Sequence, residues 1–93
     1  MTVAERIETK LKARFAPTRL VVADESDRHV GHAGARPEGE THFRLEVVAQ
    51  AFDGLSRVAR QRLVYEALAD ELAGPVHALA LRLRTPAEDG VRS

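Results

Sequence analysis

Histidine is the residue type through which this chain could handle metal or protons near neutral pH. Two of its four histidines, His29 and His32, lie three apart in the run HVGHAG. That run holds too much glycine for a helix, and its small residues leave the imidazoles with no apolar neighbour to pack against. A lone H-x-x-H fixes no geometry and supplies two ligands at most, so a plain surface loop and a ligand-bearing loop are both open readings. His77 opens an apolar strand pattern on the same face as Leu79, Leu81 and Leu83. A hydrogen-bonded rim residue and a ligand are the two readings there. His42 alternates with Arg44 and Glu46 and reads as a structural or solvent-facing residue.

A second group is basic. Arg57, Arg60 and Arg62 crowd the start of a helical segment whose end carries Glu66, Asp70 and Glu71. The helix dipole favours the opposite order. An Arg62–Glu66 pair at i,i+4 would offset part of the cost, with arginine first being the weaker orientation. The remaining reading is a surface for phosphate or for an acidic partner.

Composition narrows the classes. The 93 residues suffice for one domain with a single core, 44% of them apolar and 30% charged. Cysteine is absent, so the chain alone can build no disulfide, thiolate nucleophile, iron–sulfur site or structural zinc site. Any metal would be held by histidine and carboxylate or shared with another molecule. A formal charge of zero argues against broad attraction to nucleic acid, though not against a local basic patch. No apolar run is long enough to span a membrane, and MTVAERIETKLKARF lacks the pattern of a signal peptide, which predicts a cytoplasmic protein. No P-loop, GxGxxG or nucleophile constellation is present, and enzyme activity is not expected.

The elements that must position these groups follow from periodicity. Thr2-x-x-Glu5 has capping-box spacing, and Ile7, Leu11 and Phe15 recur at i+4, which predicts a helix over 3–15 ended by Pro17. TRLVVAD, 18–24, reads as a strand. Residues 25–40 hold three of the six glycines and form a long loop of the length that usually carries function. Phe43, Leu45 and Val47 alternate with His42, Arg44 and Glu46 as a second strand. Phe52-Asp53-Gly54 is a turn or one helical turn. Ser56 caps a helix to about Leu72, ended by Gly74 and Pro75, with Val64, Leu68 and Leu72 as its stripe and Val58 and Tyr65 beside them. A third strand covers 76–84, with Val76 on the face of Ala78, Ala80 and Arg82, and Thr85-Pro86-Ala87-Glu88 can start a last short helix. The fold class is α+β in the order α-β-β-α-α-β, counting the short turn as a helix. A three-stranded mixed sheet carries helices on one face, its first pair antiparallel and its last strand parallel. One domain spans 1–90, and 91–93 form a frayed tail.

The segments DESDRHVGHAG, GETHFRLEVV, FDGLSRVARQRLVYEALADEL and GPVHALALRLRTPAE follow one another in an order that resembles the BolA family over residues 3–88. One departure stands out. The family commonly has Arg-His-Arg where this chain has Arg60-Gln61-Arg62. The resemblance implies a fold like the type II KH domain and a partnership with a monothiol glutaredoxin. It also implies a [2Fe-2S] cluster shared with that glutaredoxin and glutathione, none being bound by the chain alone. Mapped onto this sequence, the implied ligands are His77 and either His29 or His32, with Arg57, Arg60 and Arg62 near the partner surface. The alternative role is a DNA-binding transcriptional regulator acting through the helix-turn-helix-like region 52–72. Alone, the chain is expected to be a monomer or weak homodimer with no membrane association.

Overall fold

The computed structural model describes residues 2–25 and 41–91. Helix α1 spans Val3–Phe15, followed by strands β1 (Arg19–Asp24) and β2 (His42–Val48). A 3-10 turn at Gln50–Phe52 leads into α2 (Arg57–Ala67), α3 (Ala69–Ala73), β3 (Ala78–Arg84) and α4 (Pro86–Val91). The sheet order is β1-β2-β3; the first two strands pair antiparallel and the last two parallel, as the connections between them predict.

Local chemistry explains most boundaries. The Thr2 hydroxyl accepts from the Glu5 N–H, and the Thr2 N–H donates to the Glu5 carboxylate, so both halves of the capping box form. Helix α1 stops at Phe15, two residues before Pro17, and the intervening Ala16 takes a left-handed conformation and donates its N–H to the Lys12 carbonyl. Phe52 is buried, and Gly54 follows with φ 77°, the backbone state that lets the chain turn sharply toward the Ser56 cap of α2. Thr85 and Glu88 exchange backbone and side-chain hydrogen bonds in the box that opens α4.

Strand β2 is the central layer of the core. Phe43, Leu45 and Val47 face Ile7, Leu11 and Phe15 of α1 and Val64 of α2, with Leu68 and Phe52 closing the ends. The Phe15 and Phe52 rings lie 5.1 Å apart, tilted at 44°. By register, the opposite face of the sheet aligns His42, Arg44 and Glu46 with Ala78, Ala80 and Arg82.

Three details depart from the sequence expectation. The helix from Ser56 is broken at Leu68, although no proline or glycine interrupts residues 57–73. Val58 and Tyr65, expected beside the stripe, are exposed, and Leu63 and Ala67 pack against the core. Regular pairing of β3 starts at Ala78, so Val76 is buried in the core instead of sharing the outer face. Burial selects Leu63, Ala67 and Val76 for the core and leaves Val58 and Tyr65 in solvent.

Charge also ties α1 to α3. Glu71 is fully buried and accepts a 2.9 Å hydrogen bond from Lys10 Nζ. Arg6 Nη2 lies 2.8 Å from its other oxygen as an ion pair without hydrogen-bond alignment. Burial alone would raise the Glu71 pKa. The Lys10 hydrogen bond and the charges of Lys10 and Arg6 outweigh it and hold the carboxyl below its ordinary 4.5. Because the folded value is lowered, its stabilisation is present above that ordinary value and is lost as pH falls through the folded one. Glu71→Gln should destabilise the fold by about 1.5–3 kcal/mol at neutral pH, the range for a hydrogen bond to a charged group, as read by urea denaturation. The deficit relative to wild type should shrink in acid.

Candidate functional site

The histidines that the structure describes meet at one end of the sheet. Thr41, fully buried, precedes β2, and its carbonyl accepts from the His77 N–H at 2.7 Å and the Ala78 N–H at 3.3 Å. That pair of bonds sets the start of β3 against the start of β2. The Thr41 hydroxyl also lies 2.8 Å from His42 Nδ1 and orients that ring. The His42 and His77 rings stand edge to face with centroids 5.9 Å apart. His77 is exposed, so it is a rim residue and not a core one. At the same end, the Glu25 N–H donates to the His42 carbonyl at 2.8 Å. The chain therefore leaves β1 and re-enters β2 beside the two imidazoles. His29 and His32 lie outside the described residues.

Among the described residues no group of three or more His, Cys, Asp or Glu side chains could hold a metal ion. Two neighbouring imidazoles and no thiol do not hold an iron–sulfur cluster unaided. They fit a ligand set completed from outside, because the His77 ring is open to solvent while its backbone is fixed. The sequence pattern makes His42 structural or solvent-facing. Its closeness to His77 was signalled only by the matching offsets in Thr41-His42-Phe43 and His77-Ala78-Leu79, which the parallel register aligns.

The arginines separate by role. Arg57 and Arg62 are exposed on α2. Arg60 is committed inside the fold, its side chain only 12% exposed. Its Nε donates to the Leu55 carbonyl at 3.0 Å and its Nη1 to the Leu83 carbonyl at 3.2 Å. The two terminal nitrogens grip Glu88 at 2.6 and 3.0 Å. All three arginines are expected from sequence near a partner surface; of the three, Arg60 is also bound to Leu55, Leu83 and Glu88 of this chain. Glu66, expected to pair with Arg62, instead lies 3.7 Å from Arg14 of α1.

The family profile described as BolA-like protein matches residues 11–88. This chain is a member of the BolA-like protein family. BolA-like protein 1 of Pongo abelii is 50% identical over 91 residues, which take in 98% of this chain and 64% of that protein. The DNA-binding transcriptional regulator BolA of Escherichia coli (strain K12) is 46% identical over 85 residues, 91% of this chain and 77% of that protein. The solved BolA domain of SufE1 from Arabidopsis thaliana has a TM-score of 0.82 at 46% identity, covering 91% of this chain and 93% of that one. The α+β architecture with its three-stranded mixed sheet is thus the BolA domain fold. The chain spans just under two thirds of the length of its mammalian BolA-like relatives.

Within this BolA fold the Arg60–Glu88 pair reports on acid. Arg60 and the Thr85 N–H hold the Glu88 carboxyl at a pKa of about 2, below its ordinary 4.5. The stabilisation it brings is present above 4.5 and disappears as pH falls toward about 2. Glu88→Gln should remove that part of the acid dependence. Thermal midpoints of the two proteins, taken from pH 6 to pH 2, should converge as Glu88 protonates.

Proposed function

We propose that this BolA-like chain is a partner of a monothiol glutaredoxin and contributes histidine to a shared [2Fe-2S] cluster. The observation that carries the reading is the His77 rim. One exposed imidazole stands on a backbone pinned by the Thr41 carbonyl, with a second ring at 5.9 Å. The glycine-rich segment bearing His29 and His32 is joined to the sheet at that same end. Glu25 lies two strand spacings from β3, roughly 10 Å. Four residues to His29 reach about 14 Å and seven to His32 about 24 Å, so the covalent chain is long enough for either histidine.

In this reading His77 presents a ring nitrogen to the partner-held irons, and one loop histidine presents a second. The glutaredoxin cysteine and glutathione supply the sulfur ligands that this chain lacks. The shared cluster supplies a one-electron redox centre whose potential rises when imidazole replaces thiolate, as in Rieske centres. His42 turns its Nδ1 to Thr41, so any metal bond from that ring would use Nε2.

The test mixes the full chain with a cluster-loaded monothiol glutaredoxin and follows visible circular dichroism. His77→Ala and the double change His29→Ala/His32→Ala should each abolish the spectrum of the mixed complex. Unchanged spectra in both variants would overturn the ligand assignment.

A second reading, DNA binding, draws on the exposed Arg57 and Arg62 and on the name of the Escherichia coli relative. It expects affinity to fall steeply with salt, the slope shrinking by about one for each phosphate-contacting arginine removed. Arg57→Ala and Arg62→Ala should show that change. DNA affinity that is independent of salt would exclude this reading.

A further inference from the structure

At the opposite end of β3 from His77, a groove of about 660 Å³ runs between the start of α2 and the outer edge of the sheet. Four arginines and one glutamate line it. Arg60 and Glu88 neutralise one another, which leaves Arg57, Arg82 and Arg84 as a surplus of positive charge in a chain whose formal charge is zero. Arg57 and Arg82 are exposed and make no ion pair among the described residues. Nη1 of Arg84 is buried with no hydrogen-bond partner, a costly state for a cationic donor. These guanidinium groups await an anion.

The backbone beside them is equally unfinished. The Arg84 carbonyl accepts from the Ala49 N–H, so Arg84 and, alternating with it, Arg82, Ala80 and Ala78 turn their peptide groups toward β2. Leu79, Leu81 and Leu83 therefore turn theirs outward along the free edge. Arg60 takes the Leu83 carbonyl. Among the described residues no strand pairs with the N–H and C=O of Leu79 and Leu81 or the Leu83 N–H, which form an open strand template.

We propose that this edge accepts an extended acidic segment of a partner protein, added as a fourth strand beside β3. Its main chain pairs with Leu79 and Leu81, and its carboxylates meet Arg57, Arg82 and Arg84. A second copy of this chain is the poorer occupant, since edge-to-edge pairing would bring two arginine-rich edges together. The proposal is independent of the cluster reading, which concerns the other end of the strand.

The test uses the full chain, nitrogen-15 labelled, and two capped hexapeptides in which threonine alternates with glutamate or with lysine. The glutamate peptide should shift the Leu79, Leu81 and Leu83 amides and the Arg57 and Arg82 side-chain Nε–H signals, and should slow hydrogen exchange at Leu81. The double variant Arg57→Glu/Arg82→Glu should weaken binding at least tenfold. The milder Arg82→Gln should weaken it less while keeping the wild-type thermal midpoint. The lysine peptide should leave the spectrum unchanged, and His77→Ala should bind the glutamate peptide as wild type does. Several outcomes would overturn the proposal. They are silence from both peptides, equal shifts from both, inorganic phosphate reproducing the whole pattern, or self-association through β3 in the absence of peptide.

Discussion

The parallel pairing of β2 with β3 is the constraint on which the other features depend. Parallel neighbours cannot be joined by a tight turn, so the chain must cross over the sheet before β3 can begin. Helices α2 and α3 are that crossover, and they cover the apolar face of β2 because the sheet has to be sealed there. The crossing ends where the Thr41 carbonyl collects two successive N–H groups, from His77 and Ala78. One buried carbonyl thus fixes the register of the strand and the position of the imidazole that precedes it.

Charge finishes what apolar burial begins. Glu71 draws Arg6 and Lys10 of α1 onto the end of the crossover. Arg60 draws Glu88 of α4 onto its beginning. The charge order of the 57–71 segment has two causes. The break at Leu68 puts Asp70 and Glu71 in the first turn of α3, where the dipole favours them, and tertiary partners hold Arg60 at the start of α2. Arg60 sits near a helix start because two carbonyls and a carboxylate from other segments meet it there. Stronger, better desolvated contacts outweigh a dipole preference of roughly 0.3–1 kcal/mol.

The same register divides the surface into two ends. At the start of β3 stand His77 and His42, beside the points where the chain leaves β1 and enters β2. At its finish stand the arginines and the open edge. Both ends belong to one seven-residue strand, so a protein engaging the imidazoles has the basic groove along the same edge. Among the described residues, a BolA-like chain of zero formal charge gathers Arg57, Arg82 and Arg84 in one groove, which favours a few directed contacts over broad electrostatic attraction.

Sequence alone determined what periodicity and local chemistry can encode. The α1 box at Thr2 and Glu5, the alternation of β2, the Thr85–Glu88 box and the α+β order with one antiparallel and one parallel pairing were all legible. So was the absence of thiols. Only the tertiary structure decided the break at Leu68, the burial of Val76 and the exposure of Val58. The same holds for the withdrawal of Arg60 into the fold and the meeting of His42 with His77. Those outcomes depend on partners far along the chain, and a pattern read over a few neighbouring residues contains no distance between position 42 and position 77. Register turns that separation into contact, and register exists only once the strands have paired.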